Sequence, residues 1–242
     1  ASATGQTPVE RMCIDSSGNV GIGVTPSGSK LEIKSTRSSG ANANALILSD
    51  NVTGAQTSGF GTRIVGRSNG TAAVSAIGFD AHGGTNNDTA ISFHTQSTAG
   101  GLTQRMMIDS AGRVTKPNQP AAVAYTMPDS NNGTLVYSTE KFDNAGNMNL
   151  TNGRFTCPVA GVYSVSISGF YNTGRSNNGD VNIRVNNSTY VRATYSNESQ
   201  SSYVAITGVS LVKVAANDYI TIFTEGDYHG STATVFSVHL VG

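Results

Sequence analysis

The 242-residue chain contains no tryptophan, two cysteines and six prolines, and only 12% of its residues are charged. That charged share is about half of the roughly 25% usual in soluble domains. Each shortage removes a class of answer. Cys13 and Cys157 lie in separate segments and make no disulfide framework, so each reads as a small buried apolar residue. The 15 basic and 15 acidic side chains cancel. The balance also holds locally: eight basic and seven acidic residues lie before Thr115, and seven and eight lie after it. Neither half has the basic excess that a phosphate backbone requires, so no nucleic acid partner is expected. No apolar run approaches the ~20 residues of a spanning helix and no signal peptide opens the chain, so membrane insertion is not expected either. The start at Ala1, without methionine, reads as a fragment of something longer or a processed product. There is no phosphate-binding loop, no zinc-ligand spacing and no GxSxG elbow, and no Ser-His-Asp set is suggested. No catalytic residue, metal or cofactor is therefore assigned.

The chain is rich in glycine, with 28, and in Ser, Thr and Asn. Sequons at Asn69, Asn132 and Asn197 follow from that composition alone. Such neutral polar surfaces suit extracellular β-rich fibres. The first half contains a repeat: ERMCIDSSGNV at 10–20 returns as QRMMIDSAGRV at 104–114, with Arg105 standing 94 residues after Arg11. Each copy reads as a strand, a tight Ser-Gly turn and a second strand. Asp15 and Asp109 could be taken for a catalytic carboxylate pair. An Asp that follows an apolar strand and precedes Ser-x-Gly is better read as capping the turn through nearby backbone amides. Between the copies, strands are expected at Ala45–Leu48, Gly61–Val65, Ala73–Phe79 and Ala90–His94. Each is too short to bury a core alone, so association of three chains is expected to bury them. His82 and His94 are read as ordinary histidines rather than metal ligands. The segment 116–120, within TKPNQP, is read as a linker between a shaft at 1–115 and a head at 121–242.

The head gives ten strand candidates, two of which can merge: Ala122–Tyr125, Thr134–Val136, Met148–Leu150, Arg154–Thr156, Val162–Phe170, Asp180–Asn186, Tyr190–Thr194, Ser202–Val214, Asp218–Thr224 and Thr234–Val241. Alternation is clean where Tyr163, Val165 and Ile167 oppose Ser164, Ser166 and Ser168, and where Val181, Ile183 and Val185 oppose Asn182, Arg184 and Asn186. In 202–214 the apolar phase changes near Gly208, which predicts a bulge. Ser138–Asn144 is expected to be a short turn. No helix is expected, and the pattern predicts an all-β sandwich or jelly roll.

Two stretches carry resemblances. GRFTCPVAGVY at 153–163 places Phe155, Thr156, Cys157, Pro158, Gly161 and Tyr163 where the complement C1q globular head has its signature, and VFSVHLVG resembles that family's closing strand. This family is related to tumour necrosis factor, and the resemblance implies a homotrimeric jelly roll. The repeat and its continuation GIGVTPSGSKLEIKS resemble a shaft element of bacteriophage tail fibres and related virion appendages. That resemblance implies a trimeric virion fibre, extracellular, with other virion fibre proteins as partners. Together they imply a homotrimeric fibre tip that attaches, without catalysis, to a host surface polysaccharide or other receptor. The alternatives are a purely structural appendage or joint, a depolymerising tailspike, and a secreted C1q-like module.

Candidate receptor contacts are the head-loop residues whose flat rings and amides suit sugar hydroxyls. They are Tyr171, Asn172, Arg175, Asn177 and Asn178 in one connection, Tyr190, Tyr195, Asn197, Glu198 and Tyr203 around the next, and Tyr228 and His229 in a third. Glu225, Asp227 and His229 alternate and could share a face. Some relatives of the resembled family bind calcium, but three ligands without a cage favour a solvated loop.

Overall fold

The computed structural model describes residues 11–26, 30–33, 61–68, 72–81, 89–96, 100–125, 130–172, 179–196, 201–230 and 234–242. All secondary structure among them is β; there is no helix. The expected strand Ala45–Leu48 lies outside the described residues. The strands are β1 (Met12–Ile14), β2 (Val20–Ile22), β3 (Leu31–Ile33), β4 (Gly61–Ser68), β5 (Ala72–Ala81), β6 (Thr89–Gln96), β7 (Leu102–Ile108), β8 (Val114–Thr115), β9 (Ala121–Tyr125) and β10 (Ser130–Thr134). They continue as β11 (Thr139–Asp143), β12 (Met148–Asn149), β13 (Arg154–Thr156), β14 (Gly161–Tyr171), β15 (Gly179–Val185), β16 (Ser188–Ser196), β17 (Val204–Val214), β18 (Tyr219–His229) and β19 (Val235–Leu240). Two compact units divide the chain: Ala1–Thr103 with Ile108–Arg113, and Gln104–Met107 with Val114–Gly242.

The repeat folds the same way twice. In the first copy Asp15 Oδ1 accepts from the amides of Ser17 (2.8 Å) and Asn19 (2.9 Å), and Asn19 Nδ2 donates to Oδ2. In the second, Asp109 Oδ1 accepts from Ala111 (3.0 Å) and Arg113 (2.9 Å), and Arg113 Nε binds Oδ2 at 2.7 Å. Gly18 and Gly112 follow with φ of 74° and 78°, a conformation that only glycine adopts freely. The aspartates are thus turn caps. Backbone hydrogen bonds, from Asn19 and Arg113 respectively, hold both carboxyls below their ordinary range.

In the first unit, β1–β2–β3 form one small sheet. Its register puts Met12, Ile14, Val20, Ile22, Leu31 and Ile33 on one face. In the β4–β5–β6 sheet, pairings align Ile64, Ile77 and Phe93, and Thr62, Phe79 and Ile91, on another single face. The usual polarity is reversed on these three strands. Ile64, Ile77, Phe79, Ile91 and Phe93 are exposed, while Ala76, Asp80, Ala90, Ser92 and His94 on the other face are buried.

The second unit is an antiparallel sandwich. One layer runs β11-β9-β19-β14-β17, and the other is built on β18 with β15, β16, β13, β12 and β10. The inward side chains form one apolar core that includes Phe155, Tyr163, Val165, Ile167, Val181, Ile183, Val212, Ile220, Ile222, Phe236 and Val238. Tyr137 stacks on Phe236 at 5.6 Å, and Phe155 meets Tyr163 edge-on at 6.0 Å. The signature stretch serves this core. Phe155 and Cys157 are fully buried, and the Tyr163 hydroxyl donates to Val159 O at 3.0 Å, closing the Pro158–Gly161 loop. Burial and the nearby Asp218 carboxylate push the Cys157 thiol up to about 12, so it stays protonated and unreactive.

Two expectations are corrected. Residues 138–144 are not a turn: Thr139–Asp143 is β11, an edge strand paired with β9 through a bulge between Glu140 and Phe142. β17 has no bulge. Its eleven pairs with β14 run unbroken from Gly161↔Val214 to Tyr171↔Val204. The apolar phase changes because Val209 and Leu211 face outward, 71% and 61% exposed. Gly208 faces inward, where a Cβ would stand 2.5 Å from the Ala193 Cβ.

Two outcomes follow. Gly208→Val is expected to destabilise the sandwich by about 1–3 kcal/mol through overpacking, measured by urea unfolding. The Asp109 turn contributes stability that is complete above the unfolded carboxyl value near ~4 and is lost as pH falls through the lower folded value. Thermal melting of Asp109→Ala should therefore show a weaker pH dependence below ~4 than the parent chain.

Candidate functional site

Strand alternation and register decide which candidates meet. β14 and β17 end on the pair Tyr171↔Val204, and Phe170 pairs with His229 of β18. Asn172 and Tyr203 are the next residues along each strand. Asn172, Tyr203 and His229 therefore gather at one end of the sandwich. The Tyr203 ring, 52% exposed, lies 4.4 Å from the His229 ring at an interplanar angle of 34°. Tyr195, 48% exposed, stands next to last in β16 with the Arg192 guanidinium 5.2 Å from its ring centroid. Arg192 Nε is held by the buried Asp180 carboxylate at 3.0 Å.

Other candidates serve the scaffold. Tyr171 and Tyr228 are buried and meet edge-on at 6.3 Å. The Tyr171 hydroxyl donates to Gly179 O at 2.8 Å, and that of Tyr228 to Ser168 O at 3.3 Å. Burial raises the Tyr228 hydroxyl above its ordinary value. Tyr190 is exposed but sits toward the opposite end, where its oxygen accepts from the Lys213 amide at 3.2 Å. Arg175, Asn177, Asn178, Asn197 and Glu198 lie outside the described residues, as does His82.

Glu225 and His229 do not share a face. Glu225 pairs with Asp180 of β15, whereas His229 pairs with Phe170 of β14 in the other layer. The chain crosses between layers where the β10–β18 register shifts and Gly226 takes φ of 109°. Among the described residues, no three His, Cys, Asp or Glu side chains could hold a metal together.

Two polar groupings lie beyond the sequence candidates. In the first unit Asp80, Ser92 and His94 are buried together. Ser92 Oγ donates to Asp80 Oδ2, His94 Nε2 is 2.9 Å from Ser92 Oγ and 3.7 Å from Asp80 Oδ2, and Arg63 Nε lies 3.5 Å from Asp80 Oδ1. Serine and aspartate approach the same imidazole nitrogen, whereas a nucleophilic triad needs them on opposite nitrogens. In the second unit, the outward face of β18 carries one cross-strand row. Thr156 pairs with Tyr219 and Phe155 with Ile220, so Arg154 stands beside Thr221; Arg184 pairs with Thr221 from the other side. Arg154 lies 4.1 Å from the Tyr219 ring centroid and Arg184 3.2 Å from that of Phe223. Residues 67 and 37 positions away from Thr221 (221 − 154, 221 − 184) meet only through strand pairing, so no local motif announces the row.

A protein-family model described as "C1q domain" matches residues 121–241. Among solved structures, the chain is similar to the globular domain of zebrafish complement 1qA protein, with 16% identity and a TM-score of 0.42 over 51% of this chain and 98% of that one. It is also similar to murine APRIL, with 8% identity and a TM-score of 0.41 over 51% and 99%. The third is Eiger TNF from S. frugiperda, with 13% identity and a TM-score of 0.43 over 52% and 94%. No curated protein matches the chain.

Tyr171→Ala is expected to cost about 3–5 kcal/mol of folding stability, as large aromatic truncations in cores do. Tyr203→Ala should stay within about 0.5 kcal/mol of the parent. Denaturant midpoints of the two variants separate the scaffold tyrosine from the surface one.

Proposed function

We propose that this chain, which belongs to the C1q domain family through residues 121–241, is a homotrimeric virion-fibre tip that attaches to a host-surface polysaccharide without catalysis. In this reading residues 1–115 form the shaft, 116–120 the linker and 121–242 the head, and the protein stands outside the cell on a phage tail or appendage beside other fibre proteins. Members of the family typically assemble as homotrimers.

The observation that carries the trimer is the exposed outward face of β14 and β17. Small serines at 164, 166 and 168 alternate along β14, and Leu211 and Val209 stand across from Ser164 and Ser166. Small residues permit close approach and the two aliphatic side chains supply area to bury, as an interface between copies requires. The exposed faces of β1–β3 and of β4–β6 in the other unit have the same need for cover. The phage assignment is supported by the repeated hairpin with its capped aspartates, and by no comparison.

Attachment is supported by the Tyr203–His229 ring pair beside Asn172, at the end of that same β14–β17 face. Threefold association would gather three such pairs and multiply a weak single-site affinity. A second reading, a structural appendage or joint without a receptor, is favoured by Tyr171, Tyr190 and Tyr228, whose hydroxyls are engaged within the fold.

Light scattering is expected to give three times 25.0 kDa, and Leu211→Arg should shift the chain toward smaller species. A stable parent monomer would overturn the trimer. On an array of bacterial surface polysaccharides the parent should be retained and Tyr203→Ala should lose at least about tenfold. A trimeric parent that binds no polysaccharide supports the structural appendage, and release of reducing sugar from a bound polymer marks the depolymerising spike.

A further inference from the structure

We propose that Arg154, Thr221 and Arg184 form a site for an oxyanion carried by an acidic polysaccharide, separate from the Tyr203–His229 end and independent of it. Ile220 and Ile222 are fully buried in the sandwich core, so alternation turns Thr221 to the opposite, outward face. Thr221 is nevertheless 1% exposed, and its hydroxyl has no hydrogen-bond partner among the described residues. Arg184 Nε is also buried and without a hydrogen-bond partner among them. A buried donor left unmatched carries a desolvation cost that a bound acceptor would remove.

Charge points the same way. The two arginines flank Thr221 on neighbouring strands, about 10 Å apart at their backbones over two strand spacings. Among the described residues neither guanidinium has an ion-pair partner. The carboxylates of the region are otherwise placed. Asp180 holds Arg192, Asp218 accepts from Asn186 Nδ2 and the Ala215 amide, and Glu225 lies four residues along β18 from Thr221. Each guanidinium lies on an aromatic ring, Tyr219 or Phe223, which fixes its plane and leaves its edge donors for a carboxylate or sulfate.

A guanidinium covers one face of each ring, and one row of two arginines makes no backbone track for nucleic acid. The exposed neighbours are hydroxyls: Thr156 beside Tyr219 and Thr189 beside Arg184. These suit the hydroxyls of a sugar chain on either side of its charged group.

The full chain is tested by calorimetric titration at low ionic strength with polygalacturonate, dextran sulfate, neutral dextran and a DNA duplex. The parent should bind at least one of the two charged polysaccharides and not dextran; which one identifies the oxyanion. Arg154→Gln and Arg184→Gln should each weaken binding at least about tenfold, and Arg184→Lys, which keeps the charge but loses the planar fork, should also weaken it. Thr221→Val should lower affinity while leaving thermal stability equal or higher, a split that a purely structural hydroxyl would not give. Tyr203→Ala should leave this binding unchanged, so failure here is distinct from failure of the receptor reading. Equal binding to dextran, binding only to duplex DNA, no binding by the parent, or unchanged binding in the correctly folded arginine variants would each overturn the proposal.

Discussion

The second unit depends on one strand that is hydrogen-bonded along both edges. β14 pairs with β17 over its whole length and with β19 over six residues, and its last residues reach β18 of the other layer. Its odd-numbered residues Tyr163, Val165, Ile167 and Tyr171 are buried, with Gly169 among them. Gly169 lacks a side chain because the Tyr228 hydroxyl fills that space. Its even-numbered residues through 168 are small or aliphatic and point away from the core. One alternating sequence therefore fixes the sandwich interior and also shapes the outward surface.

Much of this was legible because period-two patterns report burial directly. β14, β15 and β19 fall within a residue of their expected ends, and the repeated turns cap as their Asp-Ser-x-Gly spelling implies. β11 was hidden: TEKFD is mostly polar, and an edge strand with one apolar residue looks like a turn. β17 misled because it is apolar on both faces, and a change of phase is ambiguous between a bulge and an outward-facing hydrophobic pair.

The candidate site was legible only in part, for reasons that concern tyrosine. Its ring and hydroxyl suit a sugar surface and a core position with a backbone acceptor equally well. Tyr171 and Tyr228 have such acceptors, in Gly179 and Ser168; Tyr203 instead pairs with an imidazole at the surface. Likewise Glu225 and His229 alternate in sequence but are parted by a crossing at Gly226 that spacing cannot foretell. The Arg154–Thr221–Arg184 row exists only once three distant strands are in register.

The two halves of the chain differ in how far apart in sequence their partners lie. Each Asp-capped hairpin closes over about ten residues, a span that forms on a microsecond timescale. β9, by contrast, pairs Ala121 with His239, so its layer of the sandwich is complete only when β19 arrives. Loop closure over such distances is slow. On a ribosome the hairpins would be complete while the jelly roll still waited for its closing strand.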